Sequence, residues 1–275
     1  MGKSLRQRVN EVKSFLGNPY AFFTDKDLTD TLDESLYIDA ADLRCGQPKQ
    51  ASYTPFDIEQ IAIRLQRDLW MQRGWLFTDP GINDPLHILD PEMALRALGY
   101  RCEFSDALGQ FQRDGLLLEI AAELNTPQQC VKLSRAFSAK AQKFTLAHQL
   151  GHVLLHDMAR VHQDRSFDGS MLFDGQEQEA NLLAGYFLMP QKLVRRRFFE
   201  YYGTENCWLP TAATAQSLFG CELKNSRELA ILLAKNASFN GQDFTPLATT
   251  FGVTEQAMAN RLLSLGLCSL SPRTN

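Results

Sequence analysis

The chain has 275 residues, of which 44% are apolar and 22% are charged, a length and composition sufficient for one large domain or two smaller ones. Its net charge of −4 excludes nucleic-acid binding driven by the overall charge of the protein, so that nucleic acid could bind only at a local basic patch. With no apolar run of roughly 18 residues, no recognisable signal peptide and six dispersed cysteines, the sequence predicts a cytoplasmic protein without membrane contact.

The first predicted elements are helices. One is expected over residues 4–16. A second begins at Thr54-Pro55, where a hydroxyl cap precedes a proline at the first helical position, and it continues to about Gln72. A third opens at Asp90 and is closed by Gly99.

Strands are predicted next, over residues 100–104, 116–121 and 130–133. Helices follow over 145–156 and 177–188. From Lys192 onward the pattern is mainly helical, with turns at Gly203, Gly220, Gly241 and Gly252. Helices with a few strands between them predict an α+β fold.

Three of the five histidines lie within nine residues. His148 and His152 are four residues apart, which places both imidazoles on one face of a helix, close enough to bind one zinc ion. The metalloprotease form of this pattern is H-E-x-x-H, whose glutamate is the general base. Gln149 occupies that position here, and an amide cannot accept a proton at neutral pH. The residues alone therefore predict a metal site that hydrolyses poorly or not at all.

An H-x-x-x-H pair also arises by chance, as two half-buried helix histidines. His156 lies two turns, roughly 12 Å, from His148 on an unbroken helix, so one zinc ion cannot take all three histidines. We therefore expect His156 to support the site or the fold rather than bind the metal. The third ligand must come from elsewhere in the chain.

Two stretches of the sequence resemble the ImmA/IrrE family of bacterial zinc metallopeptidases. Residues 143–156 are K-F-T-L-A-H-Q-L-G-H-V-L-L-H, and residues 177–190 are E-Q-E-A-N-L-L-A-G-Y-F-L-M-P. A weaker third match covers residues 247–266. The resemblance implies a zincin-like α+β metallopeptidase, with a small β-sheet packed on an HExxH-type helix and Zn²⁺ as cofactor. It divides the chain into an N-terminal extension, a peptidase core and a helical C-terminal region with a helix-turn-helix-like closing segment: 1–52, 53–190 and 191–275.

By resemblance, the third zinc ligand is Glu177. Helical periodicity alone leaves Glu179 open as its rival, and Glu177 could instead simply cap its helix. The resemblance also leads us to expect that Asn181, one turn further on, hydrogen-bonds the ligand carboxylate.

Gln149 is the departure from the family pattern, and two explanations compete. One is an engineered Glu→Gln change that preserves the site while stopping turnover. The other is a natural pseudoenzyme. We favour the first, because the two histidines, Glu177 and the L-M-P end are all intact.

A thiolate is a strong zinc ligand, so we hypothesise that a cysteine fills the fourth zinc position in the resting protein. Cys102 is the better candidate, because the strand predicted over 100–104 would run beside the metal cleft. Cys45, in L-R-C-G-Q-P, resembles the cysteine-switch peptide of matrix metalloprotease propeptides. For both, a buried structural cysteine is the more ordinary interpretation.

Arg195, Arg196 and Arg197 precede aromatic residues, a combination that is used to bind single-stranded nucleic acid, such as an activator. A helix with a solvated basic face and a buried aromatic face is the interpretation we favour.

The segment 247–266 has the sequence pattern of a helix-turn-helix, but Arg261 is the one basic residue of its second helix. We therefore expect this segment to close the peptidase domain by packing.

The resemblance implies cleavage of a helix-turn-helix repressor, which would derepress an operon after DNA damage or in antiviral defence. CapP-type proteases of anti-phage defence operons are a close match to consider. The rival function is a non-catalytic pseudo-protease sensor that binds repressor or nucleic acid. A third is a DNA-binding regulator that acts through the C-terminal segment.

Overall fold

The computed structural model describes residues 38–50, 52–77, 83–113, 116–157, 162–165, 175–204, 207–220 and 222–271. The helix predicted over 4–16 lies outside these residues, as does most of the predicted extension over 1–52. No helix in these ranges is both long and apolar enough to cross a bilayer.

Five strands form one sheet. The strands are β1 (Arg101–Ser105), β2 (Gln110–Arg113), β3 (Leu116–Asn125), β4 (Cys130–Ser134) and β5 (His162–Arg165). At one edge β1 pairs in parallel with β4, and β4 pairs antiparallel with β3. The long strand β3 pairs with β2 through its first half and with β5 through its second half, both antiparallel. The sequence predicted β1, β3 and β4, although β3 continues to Asn125, and it missed the short polar strands β2 and β5.

Helices precede the sheet. They are α1 (Ala40–Leu43), α2 (Pro55–Met71), α3 (Arg73–Leu76), a 3-10 turn (Pro85–Ile88) and α4 (Pro91–Ala97). The predicted start of α2 is confirmed, since Thr54 forms a reciprocal capping box with Asp57. The predicted limits of α4 are also confirmed, since Asp90 caps its first turn and Gly99, with φ 84°, follows its end.

The centre of the molecule is the helix pair α5 (Ala139–Leu155) and α6 (Gly175–Leu188). Helix α5 begins six residues before the predicted 145, because Ser138 caps it by accepting from the Ala141 N–H. It packs against α6 and against strands β3 and β4, and every residue from Thr145 to Leu155 is buried. This arrangement confirms the predicted α+β fold with a small sheet on the histidine helix.

The C-terminal part of the chain is mainly helical, as predicted. Its elements are α7 (Gln191–Tyr202), α8 (Ala212–Phe219), α9 (Ser226–Lys235), a short hairpin of β6 (Ser238–Phe239) and β7 (Gln242–Asp243), α10 (Leu247–Thr250) and α11 (Glu255–Ser264). Helix α11 packs along α9. Thr254 caps α11, and Gly252, with φ 65°, makes the predicted turn before it.

Candidate metal centre

The two histidines of the motif lie on one face of α5 with their rings almost in contact. The Nε2 atoms of His148 and His152 are 2.9 Å apart, and the ring planes meet edge to face. The two residues are only 3% and 0% exposed. Two imidazole nitrogens at this separation, shielded from water, form half of a tetrahedral ligand set.

Glu177, in the first turn of α6, supplies the third donor. Its Oε2 lies 3.3 Å from His148 Nε2 and its Oε1 lies 3.4 Å from His152 Nε2. Among the described residues, His148, His152 and Glu177 form the one group whose potential metal-binding atoms all lie within 4.8 Å of one another. The structure therefore brings together the three residues that the resemblance implied.

The spacing of these donors suits a zinc ion. Ligands at about 2.0–2.1 Å in a tetrahedral shell are separated by about 3.3 Å. The two imidazole nitrogens are 2.9 Å apart, each lies 3.3 or 3.4 Å from a different oxygen of Glu177, and one donor atom from each residue lies within 4.8 Å of the others. Two imidazoles and one carboxylate are also the donor set of a catalytic zinc site with an open fourth position. The residues present fit this metal.

Close packing of two helices brings the donors together. A Cβ atom built on Gly151 of α5 would lie 2.7 Å from the Ala180 Cα and 2.9 Å from its carbonyl oxygen on α6. Only glycine allows the two backbones to approach this closely. The separation of Glu177 from the two histidines therefore depends on the glycine inside the H-Q-L-G-H motif.

Asn181 contacts the site through a histidine. His148 donates its Nδ1 proton to Asn181 Oδ1 at 2.9 Å, so its Nε2 keeps a lone pair that faces the cluster. The expectation that Asn181 bonds the Glu177 carboxylate is thus corrected. Asn181 lies one turn along α6 from Glu177, where its amide reaches the outer edge of the His148 ring instead.

Two further buried polar residues, His156 and Glu179, lie behind His152. His156 Nδ1 lies 3.0 Å from His152 Nδ1, and His156 Nε2 lies 3.0 Å from Glu179 Oε2. The other oxygen of Glu179 accepts from the Tyr53 N–H at 2.9 Å. Burial lowers the pKa of His156, although the neighbouring Glu179 acts in the opposite direction. The lowered pKa favours the neutral imidazole. Glu179 is therefore separated from the metal donors by an imidazole, and Glu177 is the carboxylate within the cluster.

Gln149 is completely buried on α5, next to His148. Its amide has nearly the volume of a glutamate side chain, but it carries no charge and cannot take up a proton. In a metal-bound site this residue can orient a water molecule by hydrogen bonding. It cannot act as general base.

The two cysteines proposed as a fourth ligand lie elsewhere. Cys102 is absent from the group of clustered donors, and the charged groups acting on its thiol are Glu92 and Arg96 of α4. Burial raises the pKa of the Cys102 thiol to about 12, so without a metal this thiol is protonated at neutral pH. The edge occupied by β1 packs against α4, which does not favour Cys102 as the fourth ligand, and the hypothesis stays a prediction. Cys45 lies exposed in a turn after α1 and is also outside the group.

The three arginines of the basic run on α7 all contact other groups of the protein. Arg196 and Arg197 both pair with Glu200, Arg197 also reaches Asp84 at 3.1 Å, and Arg195 donates to the Leu265 carbonyl. Most aromatic side chains of α7 are packed inside, since Phe198 and Tyr202 are buried and Tyr201 stacks on Phe244, whereas Phe199 is 45% exposed. These contacts favour the packing interpretation over a nucleic-acid patch.

Arg261 of α11 is also used for packing. It is 7% exposed, lies over the Tyr186 ring, donates to the Met189 carbonyl and pairs with Glu59 at 3.2 Å. The one basic side chain of the helix-turn-helix-like segment is thus directed inward. This observation counts against DNA binding through α11.

A cavity of about 430 Å³ lies between α6 and α11 and reaches Asn181. Asn181, Leu182 and Tyr186 of α6 line it, together with Phe144 and Arg261. It reaches Asn181, whose amide contacts the metal-facing ring of His148. Sequence reasoning did not anticipate this cavity, because helices that are far apart in the chain build it.

Comparison with known proteins adds one finding. Residues 104–221 match the family model described as Peptidase_M78: IrrE N-terminal-like domain. No curated protein matches the chain. The matched segment contains α5 and α6 with the whole donor cluster, and it agrees with the resemblance that the two motifs carry.

Proposed function

Because residues 104–221 match the model of an IrrE N-terminal-like domain of peptidase family M78, we propose that the chain is a zinc-dependent metallopeptidase of the ImmA/IrrE type, with zinc held by His148, His152 and Glu177. The observation that carries this proposal is the convergence of three buried donors within 4.8 Å. Zinc, when bound, polarises a peptide carbonyl and lowers the pKa of its water. The chain supplies the dry, fixed site in which this happens.

The residue at position 149 determines turnover in this proposal. The general base must accept the proton of the attacking water, and the amide of Gln149 cannot do so. We therefore propose that the chain binds zinc and peptide but hydrolyses slowly or not at all. This holds whether Gln149 is an engineered replacement or a natural one.

The proposed substrate is a helix-turn-helix repressor, whose cleavage would derepress an operon after DNA damage or phage attack. Support comes from the family resemblance. The apolar cavity lined by Asn181 also provides room for a substrate side chain on α6, near the ring of His148. A nucleic-acid activator finds little support on α7, whose basic residues are paired.

The second candidate function is a pseudo-protease sensor that sequesters the repressor without cutting it. One observation favours it: Gln149 is fully buried in an intact cluster, so the site is ready to bind zinc but lacks a base. The sensor and a deliberately inactivated enzyme have the same structure. They differ in the effect of a glutamate at position 149, which would restore cleavage in the inactivated enzyme but not in the sensor.

The deciding experiment uses Gln149→Glu in the full chain, loaded with zinc and incubated with the repressor encoded next to its gene. We expect cleavage within the repressor, with a rate gain on the order of 10²–10⁴ for a general base. The control is the double variant Gln149→Glu/Glu177→Gln, which restores the base and removes a ligand. Binding without cleavage by zinc-loaded Gln149→Glu would support the sensor and contradict the protease.

A further inference from the structure

Three buried side chains connect the metal cluster to the backbone of the N-terminal segment. The connection runs from His152 through His156 to Glu179, whose second oxygen accepts from the Tyr53 N–H. His152 and His156 are at most 1% exposed, and Glu179 is 8% exposed. Each hydrogen bond in this series constrains the proton positions of the next.

The series fixes the tautomers of both imidazoles. The Glu179 carboxylate can only accept, so the nitrogen facing it, His156 Nε2, carries the proton. A neutral imidazole has a single N–H, so His156 Nδ1 must accept from the nitrogen opposite it, His152 Nδ1. His152 then holds its proton on Nδ1, and the lone pair on its Nε2 faces His148 and Glu177.

We propose that His156 and Glu179 are positioning residues that hold His152 in its metal-binding tautomer, and that the Tyr53 N–H anchors them. This proposal rests on the proposed zinc site. It gives the third histidine of the motif a function at the metal without contact with the metal. Partners of this kind orient a ligand ring and raise its basicity.

The end of α5 shows the same connection to the N-terminal segment. Arg44 donates to the Leu154 carbonyl at 3.0 Å, and Lys49 Nζ donates to the His156 carbonyl at 2.6 Å. These two cations satisfy carbonyls that the helix end leaves open and complement its dipole. Arg44, Lys49 and Tyr53 all lie outside the segment 104–221 that matches the family model. The functional metal site thus extends into residues 44–53.

Glu179→Gln is the most informative substitution, because it reverses the donor and acceptor roles in this series of hydrogen bonds while the side chain at position 179 keeps nearly the same shape. The amide oxygen must accept from the Tyr53 N–H, since a backbone amide cannot change its role. The amide N–H₂ then faces His156 Nε2, which must accept. His156 is thereby protonated on Nδ1, and His152 is left with its proton on Nε2, where the metal should bind.

The measurement is zinc affinity by competition with a chromogenic chelator, using the full chain. We expect Glu179→Gln to weaken zinc binding by about 10–100-fold, the usual effect of removing a partner of a metal ligand. The matched control is Glu59→Gln, the same change at a partly buried glutamate that pairs with Arg261 and does not contact the cluster. We expect it to leave zinc affinity unchanged.

His156→Gln separates positioning from simple packing. Its amide offers an N–H to Glu179 and an oxygen to the His152 N–H, so we expect zinc affinity close to that of the parent chain. If the two residues serve packing alone, this larger change of shape should be the more damaging of the two variants. Equal affinities of parent and Glu179→Gln, or a greater loss in His156→Gln, would overturn the proposal.

Nitrogen-15 NMR of the zinc-loaded parent chain gives a direct reading of the protons. We expect His156 to be protonated on Nε2 and His152 on Nδ1, and the reverse assignment at His156 would refute the proposal even if zinc binds tightly. If the parent chain binds no zinc, it is the proposed metal site that fails. The two failures are therefore distinguishable.

Discussion

Gly151→Ala places a methyl group at the contact between the two helices that carry the metal donors. The new Cβ would lie 2.7 Å from the Ala180 Cα, where carbon atoms normally approach to about 3.5–4.0 Å. Since the obstructing atoms belong to the backbone, a side-chain rotation cannot relieve the clash. Helices α5 and α6 must therefore move apart by about 1 Å.

The consequences follow from the donor distances. Overpacking of this kind costs about 1–3 kcal/mol, which exceeds the gain of up to about 1 kcal/mol from better helix propensity. The Glu177 oxygens, now 3.3 and 3.4 Å from the histidine nitrogens, would move to about 4 Å or more. A site must be held to within about 0.5 Å, so we expect zinc affinity to fall at least tenfold.

The assay combines urea unfolding of the metal-free chain with chelator competition. Gly185→Ala is the matched control, because it makes the same change in the partner helix α6, where the new Cβ would meet nothing within 4 Å. It should raise stability by up to about 1 kcal/mol and leave zinc affinity unchanged. If Gly151→Ala retained the zinc affinity and stability of the parent, the close approach of α5 and α6 would not be what sets the donor spacing.

Three further predictions concern residues outside the cluster. Cys102→Ser should leave zinc affinity unchanged. The pKa of the Cys102 thiol is about 12, so at pH 8 only a fraction on the order of 10⁻⁴ of this thiol is thiolate, and it should react with iodoacetamide far more slowly than the exposed Cys45. Arg261→Gln should lower the free energy of unfolding by about 2–3 kcal/mol, measured by urea titration, because it leaves Glu59 without its cation; an unchanged midpoint would contradict the inward role of this guanidinium. In a gel shift at physiological salt, we expect the parent chain and an Arg196→Ala variant to bind single-stranded DNA equally weakly, and a clear loss on substitution would restore the nucleic-acid interpretation.

The sequence predicted a structural feature correctly where a few neighbouring residues determine that feature by themselves. Thr54-Pro55 predicted the start of α2 because a hydroxyl cap and an N1 proline act within one turn. The spacing of His148 and His152 likewise predicted a shared helix face. Strands β2 and β5 escaped prediction because their short sequences, Q-F-Q-R and H-Q-D-R, lack apolar alternation and depend on pairing with β3.

Other features depend on contacts between distant parts of the chain. Periodicity could not separate Glu177 from Glu179, because α6 is buried on several sides and both carboxylates are inside. Only the packing of α5 on α6 assigns one to the donors and the other to His156. The anchor of Glu179 is a backbone N–H 126 positions away, for which a side-chain pattern has no signal. The surroundings of Cys102 could not be predicted, because an edge strand can face either the cleft or a covering helix.

Zinc titration of the full chain by calorimetry, comparing the parent with Glu177→Ala, tests the central claim most directly. We predict one tightly bound zinc ion per chain in the parent, since three donors already lie within 4.8 Å of one another. Glu177→Ala should lose most of that affinity while remaining folded by circular dichroism. No binding by the parent, or equal binding by folded Glu177→Ala, would contradict a zinc centre built from His148, His152 and Glu177.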